Sequence, residues 1–147
     1  MTTAAQILSS KPDHAVYTTT PDASVFDAVK EMARRNVGAL MVMEGENVVG
    51  IVTERDYARK IVLLARASRD TEVQDIMSTP VMYVRPTQTV DECMALMTDK
   101  RLRHLPVMDD DGELRGVISI GDLVKQVIQD QKHVIEQLEH YISGQPA

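Results

Sequence analysis

Two heptapeptides carry the residues best suited to chemistry. Residues 50 to 56 read GIVTERD, and residues 116 to 122 read GVISIGD. Each places a hydroxyl residue, Thr53 or Ser119, three positions before a carboxylate, Asp56 or Asp122. A carboxylate can accept from both hydroxyls of a ribose, and a hydroxyl can donate to a phosphate. A helix opening directly after the hydroxyl would add free N–H groups suited to an anion. The glycine at the head of each heptapeptide would let a ligand approach the backbone closely. The same residues also satisfy a structural rule. Ser or Thr at a helix N-cap with an acid at N3 caps the helix and complements its dipole. Both readings fit the residue types.

The heptapeptides lie within a longer internal repeat, the first thing to seek in a chain of this size. Shifting the sequence by 65 residues lays PDASVFDAVKEMARRNVGALMVME (21 to 44) on PTQTVDECMALMTDKRLRHLPVMD (86 to 109). Pro21 meets Pro86, Val25 meets Val90, Met32 meets Met97, Leu40 meets Leu105 and Val42 meets Val107. One extra residue then enters a polar turn, where insertions are best tolerated, and Gly50 meets Gly116.

Each copy must supply elements to position its heptapeptide. Asp22 and Ser24 can cap a helix with the apolar face Val25, Ala28, Val29 and Met32. ALMVME and VVGIVT read as strands around the turn EGEN, and a helix is expected from Glu54 or Arg55 toward Ala67. The second copy gives a helix from Thr89 to about Asp99, strands LPVMD and LRGVIS, and a helix from Gly121 onward. AVYTT and VMYVR would supply a short first strand to each copy, and lead helices in TAAQILSS and EVQDIMST precede them. A unit of about 60 residues is marginal alone, so the two should pack sheet against sheet about a pseudo-twofold axis.

With this repeat in view, the chain resembles a pair of cystathionine-β-synthase (CBS) domains, a Bateman module. The resemblance rests on GIVTERD and GVISIGD, the strand RHLPVMD, the helix-opening TV of a copy, and VQDIMSTP before the second copy. It implies an α+β fold of two βαββα repeats with small mixed sheets packed face to face. The first repeat is expected over 4–68, the second over 72–130, and a helical extension over 131–143. It also implies that adenosine-containing ligands bind in the clefts between repeats. Thr53 and Asp56 would serve one cleft, Ser119 and Asp122 the other, with the Asp on the ribose. The opposite walls would come from Arg101, Arg103 and His104 of the second copy, and from Asn36, Gly38 and Ala39 of the first. Guanidinium groups and a protonatable His offer charge-assisted donors to phosphate. The Asp56 cleft, aided by Arg55 and Arg59, is therefore expected to hold AMP, ADP or ATP most firmly, with NAD(H) next. The Asp122 cleft faces a neutral wall and is expected to bind more weakly.

Composition narrows the alternatives. A net charge of -6 offers no basic face for nucleic acid, and aromatic residues at 3% offer no base-stacking platform. Apolar runs are far shorter than the roughly 20 residues that span a bilayer. No basic, apolar leader opens the chain, and a single Cys93 precludes an internal disulfide. A cytoplasmic protein is expected. Cys93 falls on an apolar helix face as a core thiol, and MDDDGE reads as a hairpin turn rather than a calcium loop. The four histidines lack metal-ligand spacing. No nucleophile–base pair or phosphate loop is present. The expectation is a non-catalytic regulatory module with no catalytic cofactor, whose signal passes through a downstream protein. Alternatives are a scaffold with vestigial clefts, an S-adenosylmethionine sensor, or the accessory half of an enzyme. The tail DLVKQVIQDQKHVIEQLEHYIS carries apolar residues every seven positions and outruns the repeat, which points to a homodimer.

Overall fold

The computed structural model describes residues 1–144. The element order is α1 (Ala4–Ser10), β1 (Thr18–Thr19), α2 (Val25–Arg35), β2 (Ala39–Glu44), β3 (Asn47–Thr53) and α3 (Glu54–Tyr57), then α4 (Val90–Lys100), β4 (His104–Met108), β5 (Leu114–Ser119) and α5 (Ile120–Ser143). A π-helical turn, Ala58–Val62, follows α3, and a 3-10 turn, Val73–Asp75, lies between the halves. The layout is α+β, in two matching halves.

Repeat-equivalent residues do equivalent work. Ser24 and Thr89 cap α2 and α4, accepting from the N–H groups of Asp27 and Glu92. Both helices end in a left-handed residue, Asn36 at φ 54° and Arg101 at φ 55°. Asn tolerates that conformation, whereas Arg adopts it at a cost of about 1 kcal/mol or more. In the first half β1 runs parallel to β2 with α2 between them, and β2 pairs antiparallel with β3. In the second half β4 pairs antiparallel with β5 in the same hairpin arrangement.

The first strands are shorter than the sequence suggests. AVYTT contributes only Thr18–Thr19, and VMYVR contributes a single parallel bridge, Val84 to Val107. Pro21 and Pro86 follow closely, and proline has no N–H to extend a ladder. The helix expected to reach Ala67 also stops early. The chain turns at Ala65 (φ 54°) so that Ser68 and Thr71 can accept from Phe26 and Val25 at the start of α2.

Two cores result. Val25, Ala28, Met32, Leu40, Val42 and Val52 anchor one, and Val90, Cys93, Met97, Leu105, Val107 and Ile118 the other. Strand residues alternate between faces, yet Met41 in β2, and Pro106 and Met108 in β4, are buried on the faces turned away from those cores. Each sheet therefore has helices on one side and the opposite half on the other.

The lead segments cross over between halves. Ala4 and Ile7 of α1 pack into the second core, while Val73 and Ile76 pack into the first. Matching backbone bridges, Thr3 to Thr89 and Ser24 to Glu72, hold them there. The crossing explains the paired glycines. A Cβ on Gly50 would lie 2.6 Å from the Met77 sulfur and 3.3 Å from the Ser78 carbonyl oxygen, and one on Gly116 would lie 2.8 Å from Leu8 Cδ2. These glycines make room for the lead segments, not for a ligand.

Candidate functional site

The strand-to-helix junctions fold identically at both heptapeptides. Thr53 Oγ1 accepts from the Asp56 N–H (3.1 Å), and Asp56 Oδ2 accepts from the Thr53 N–H (3.0 Å). Ser119 Oγ accepts from the Asp122 N–H (3.2 Å), and Asp122 Oδ2 accepts from the Ser119 N–H (2.8 Å). Both are capping boxes, so the structural reading of the motif holds in each copy. It does not exclude binding, because a carboxylate has a second oxygen and spare lone pairs.

Around Asp56 the two halves enclose a cavity of about 490 Å³, within the range of small-molecule sites. Thr53, Arg55, Asp56, Arg101, Arg103 and His104 all line it. Arg59 and Lys60 add two further cations. Arg55 reaches across the cleft and donates to the Arg101 carbonyl, which ties the first half's α3 to the second half's wall. Asp56 is 7% exposed. Its Oδ1 lies 3.2 Å from the Ser78 hydroxyl and 3.5 Å from Lys60 Nζ.

Asn36, Gly38, Ala39 and Ser119 line a second cavity of about 310 Å³. Two features differ from the sequence expectation. First, its wall is not neutral, since Lys11 and Asp13 lie on it. Second, Asp122 is set behind Lys11, whose Nζ is 2.9 Å from Asp122 Oδ2. Burial alone would raise the Asp122 carboxyl pKa, but the Ser119 N–H and the Lys11 ammonium outweigh it and hold it below the usual carboxylate value. Gly38 and His104 border both cavities. Burial lowers the His104 pKa, with Arg103 and Lys11 acting in the same direction and Glu54 and Asp122 opposing.

Four of these neighbours escaped the sequence reading. Lys60 was legible, being one helical turn beyond Asp56. Ser78, Glu54 and Lys11 were not singled out, and Ser78 and Lys11 reach their carboxylates only through the crossed lead segments. Elsewhere, the MDDDGE turn closes by the Gly112 N–H donating to the Asp109 carbonyl, as a hairpin does. Among the described residues no helix is long and apolar enough to cross a membrane.

Comparison with known proteins agrees with the geometry. A CBS-domain-containing mitochondrial protein of Arabidopsis thaliana, CBSX3, is 42% identical over 97% of this chain and 73% of its own length. A solved CBS-domain protein of the signal-transduction class, from Burkholderia ambifaria, is 58% identical with a TM-score of 0.84, covering 88% of this chain and 96% of that one. CBSX2, solved in complex with AMP, has a TM-score of 0.74 over 88% of this chain and 98% of its own; at 23% identity the likeness is one of fold. The CBS domain family itself matches residues 5–63 and 73–129, so the chain belongs to the CBS domain family and carries two such domains.

Proposed function

We propose that the chain is a regulatory module that binds an adenine nucleotide, foremost AMP, ADP or ATP, in the cleft around Asp56. The observation that carries this is the charge arrangement of that cavity. Arg55, Arg59, Lys60, Arg101 and Arg103 converge on one space with only two carboxylates, Glu54 and the nearly buried Asp56, so positive charge is in excess there. Gathering like charges is unfavourable unless an anion shares the space. Guanidinium groups suit a phosphate, and the carboxylate suits ribose hydroxyls. One ligand class carries both groups at nucleotide length, and AMP, present in one fold neighbour, belongs to it.

The functional unit is the two repeats, 4–68 and 72–130, acting together, because each cleft takes its walls from both. The unit performs no catalysis and passes its signal to a protein partner. Residues 131–143 extend α5 and serve a homodimer in the cytoplasm. Their support is that Val134, Ile135, Leu138 and Ile142 are all at least half exposed on one long helix.

The test is thermal unfolding in the presence of AMP, ADP, ATP, NAD(H) and S-adenosylmethionine. A ligand at a hundred times its Kd stabilises the folded state by about 2.7 kcal/mol, which at this size raises Tm by roughly 5–10 °C. The adenine nucleotides are expected to do so. An unmoved melting curve across the panel would favour a scaffold with vestigial clefts.

A further inference from the structure

The two carboxylates are equivalent in sequence but not in their surroundings. Asp56 meets the neutral Ser78 hydroxyl, delivered by the segment after the 3-10 turn. Its cation, Lys60, stands farther off, at 3.5 Å on the same helical stretch, with its Nζ donating to the Ile76 carbonyl at 2.8 Å. Asp122 instead meets an ammonium at 2.9 Å, delivered by the segment after α1. Lys11 Nζ is held at a second point too, donating to the Val117 carbonyl at 2.9 Å. Its backbone is fixed in turn. Ala4 and Ala5 donate to the Gln88 and Pro86 carbonyls, Ile7 is buried in the second core, and Leu8 fills the space above Gly116.

Lys11 thus stands between the second cavity and the carboxylate. It lines that cavity with Ser119 and also borders a separate hollow of about 70 Å³, and of the two cavities Asp122 reaches only that hollow. A ribose approaching Asp122 from the cleft meets the ammonium first. At Asp56, which lines its cavity, the Ser78 hydroxyl can rotate to share its acceptor and Lys60 stands 3.5 Å off, whereas at Asp122 a closer ion pair, at 2.9 Å, must be broken.

We propose that Lys11 latches the second cleft by holding Asp122, so that one chain takes up one nucleotide, at Asp56. This rests on the nucleotide-binding reading above and adds to it the residue that makes the two clefts unequal. Lys11 acts as a positioning residue, through Asp122.

The experiment is calorimetric titration of AMP into the full chain, comparing wild type, Lys11→Met and Lys11→Arg, with melting curves to confirm folding. Wild type should take up one AMP per chain. Lys11→Met should take up two, with affinity at the first site unchanged, and Lys11→Arg, which keeps the ion pair, should return to one. Lys11→Met combined with Asp56→Ala should retain one site, now at Asp122. Two sites in wild type, a single site in Lys11→Met, or Lys11→Arg behaving as Lys11→Met would overturn the latch and leave nucleotide binding intact. Absence of AMP uptake by every folded variant would overturn the nucleotide reading, and the latch with it. Should Lys11→Met fail to fold, Lys11→Gln gives the same comparison.

Discussion

A carboxylate at N3 of a helix can cap the chain and still offer an oxygen to a ligand. Asp56 and Asp122 are both built in this way, and Asp122 is paired at 2.9 Å with Lys11. The Asp122 pKa is depressed in the folded state. Its ion pair with Lys11 therefore stabilises the fold above the unfolded carboxyl value of about 3.9, and that contribution is lost as pH falls through the lower folded value. Lys11→Met should be less stable than wild type by about 1 kcal/mol near neutrality, and the gap should close in acid. Urea midpoints measured across pH check this, and a gap independent of pH would rule it out. His104 is also depressed, by burial first. The folded state binds fewer protons at that ring than the unfolded chain does. Stability from His104 is thus full above its ordinary value of about 6.5 and declines as pH falls below it. Replacing His104 with Gln should flatten the midpoint curve in that window.

Among the elements, the repeated Gly-x-x-hydroxyl-x-x-Asp pattern was legible as a strand running into a helix. Residues 39–44 and 104–108 were legible as short apolar runs next to polar turns and are buried on both faces, whereas 114–119 alternates. The crossing of the lead segments was not legible. TAAQILSS reads as an amphipathic helix whichever half receives it, and nothing local says that Ile7 belongs with Leu105 rather than Leu40. The glycines were misread for the same reason, because Met77 and Leu8 reach them only through that crossing. This yields a contrast. Gly50→Ala must displace the Ser78 backbone carbonyl as well as Met77, and should cost about 1–2 kcal/mol. Gly116→Ala meets only the flexible end of Leu8, and a less flexible unfolded chain partly offsets the clash. It should lie within about 0.5 kcal/mol of wild type. Denaturant titrations of the two variants give the comparison, and an equal cost would contradict the packing assigned to Ser78.

On the scale of the molecule, the pseudo-twofold repeat creates two clefts, and small departures from symmetry set them apart. Arg101, Arg103 and His104 stand where the first half has Asn36, Gly38 and Ala39, which the sequence showed. Lys11 deepens the asymmetry, which the sequence did not show. The 24-residue α5 leaves Leu138 and Ile142 exposed at 55% and 83%, on a stretch too short to stay helical alone in water. Light scattering should therefore report about twice 16.4 kDa for wild type, and Leu138→Glu should shift it toward a single chain. The central claim, that the Asp56 cleft is the nucleotide site, is tested most directly by the affinity of Asp56→Ala and Asp122→Ala for AMP, each measured by calorimetry against wild type. Loss of a buried charged acceptor costs about 1.5–3 kcal/mol, so Asp56→Ala should bind AMP at least about tenfold more weakly, while Asp122→Ala should remain close to wild type. Equal losses at the two aspartates, a larger loss at Asp122, or unchanged affinity in Asp56→Ala would contradict the account.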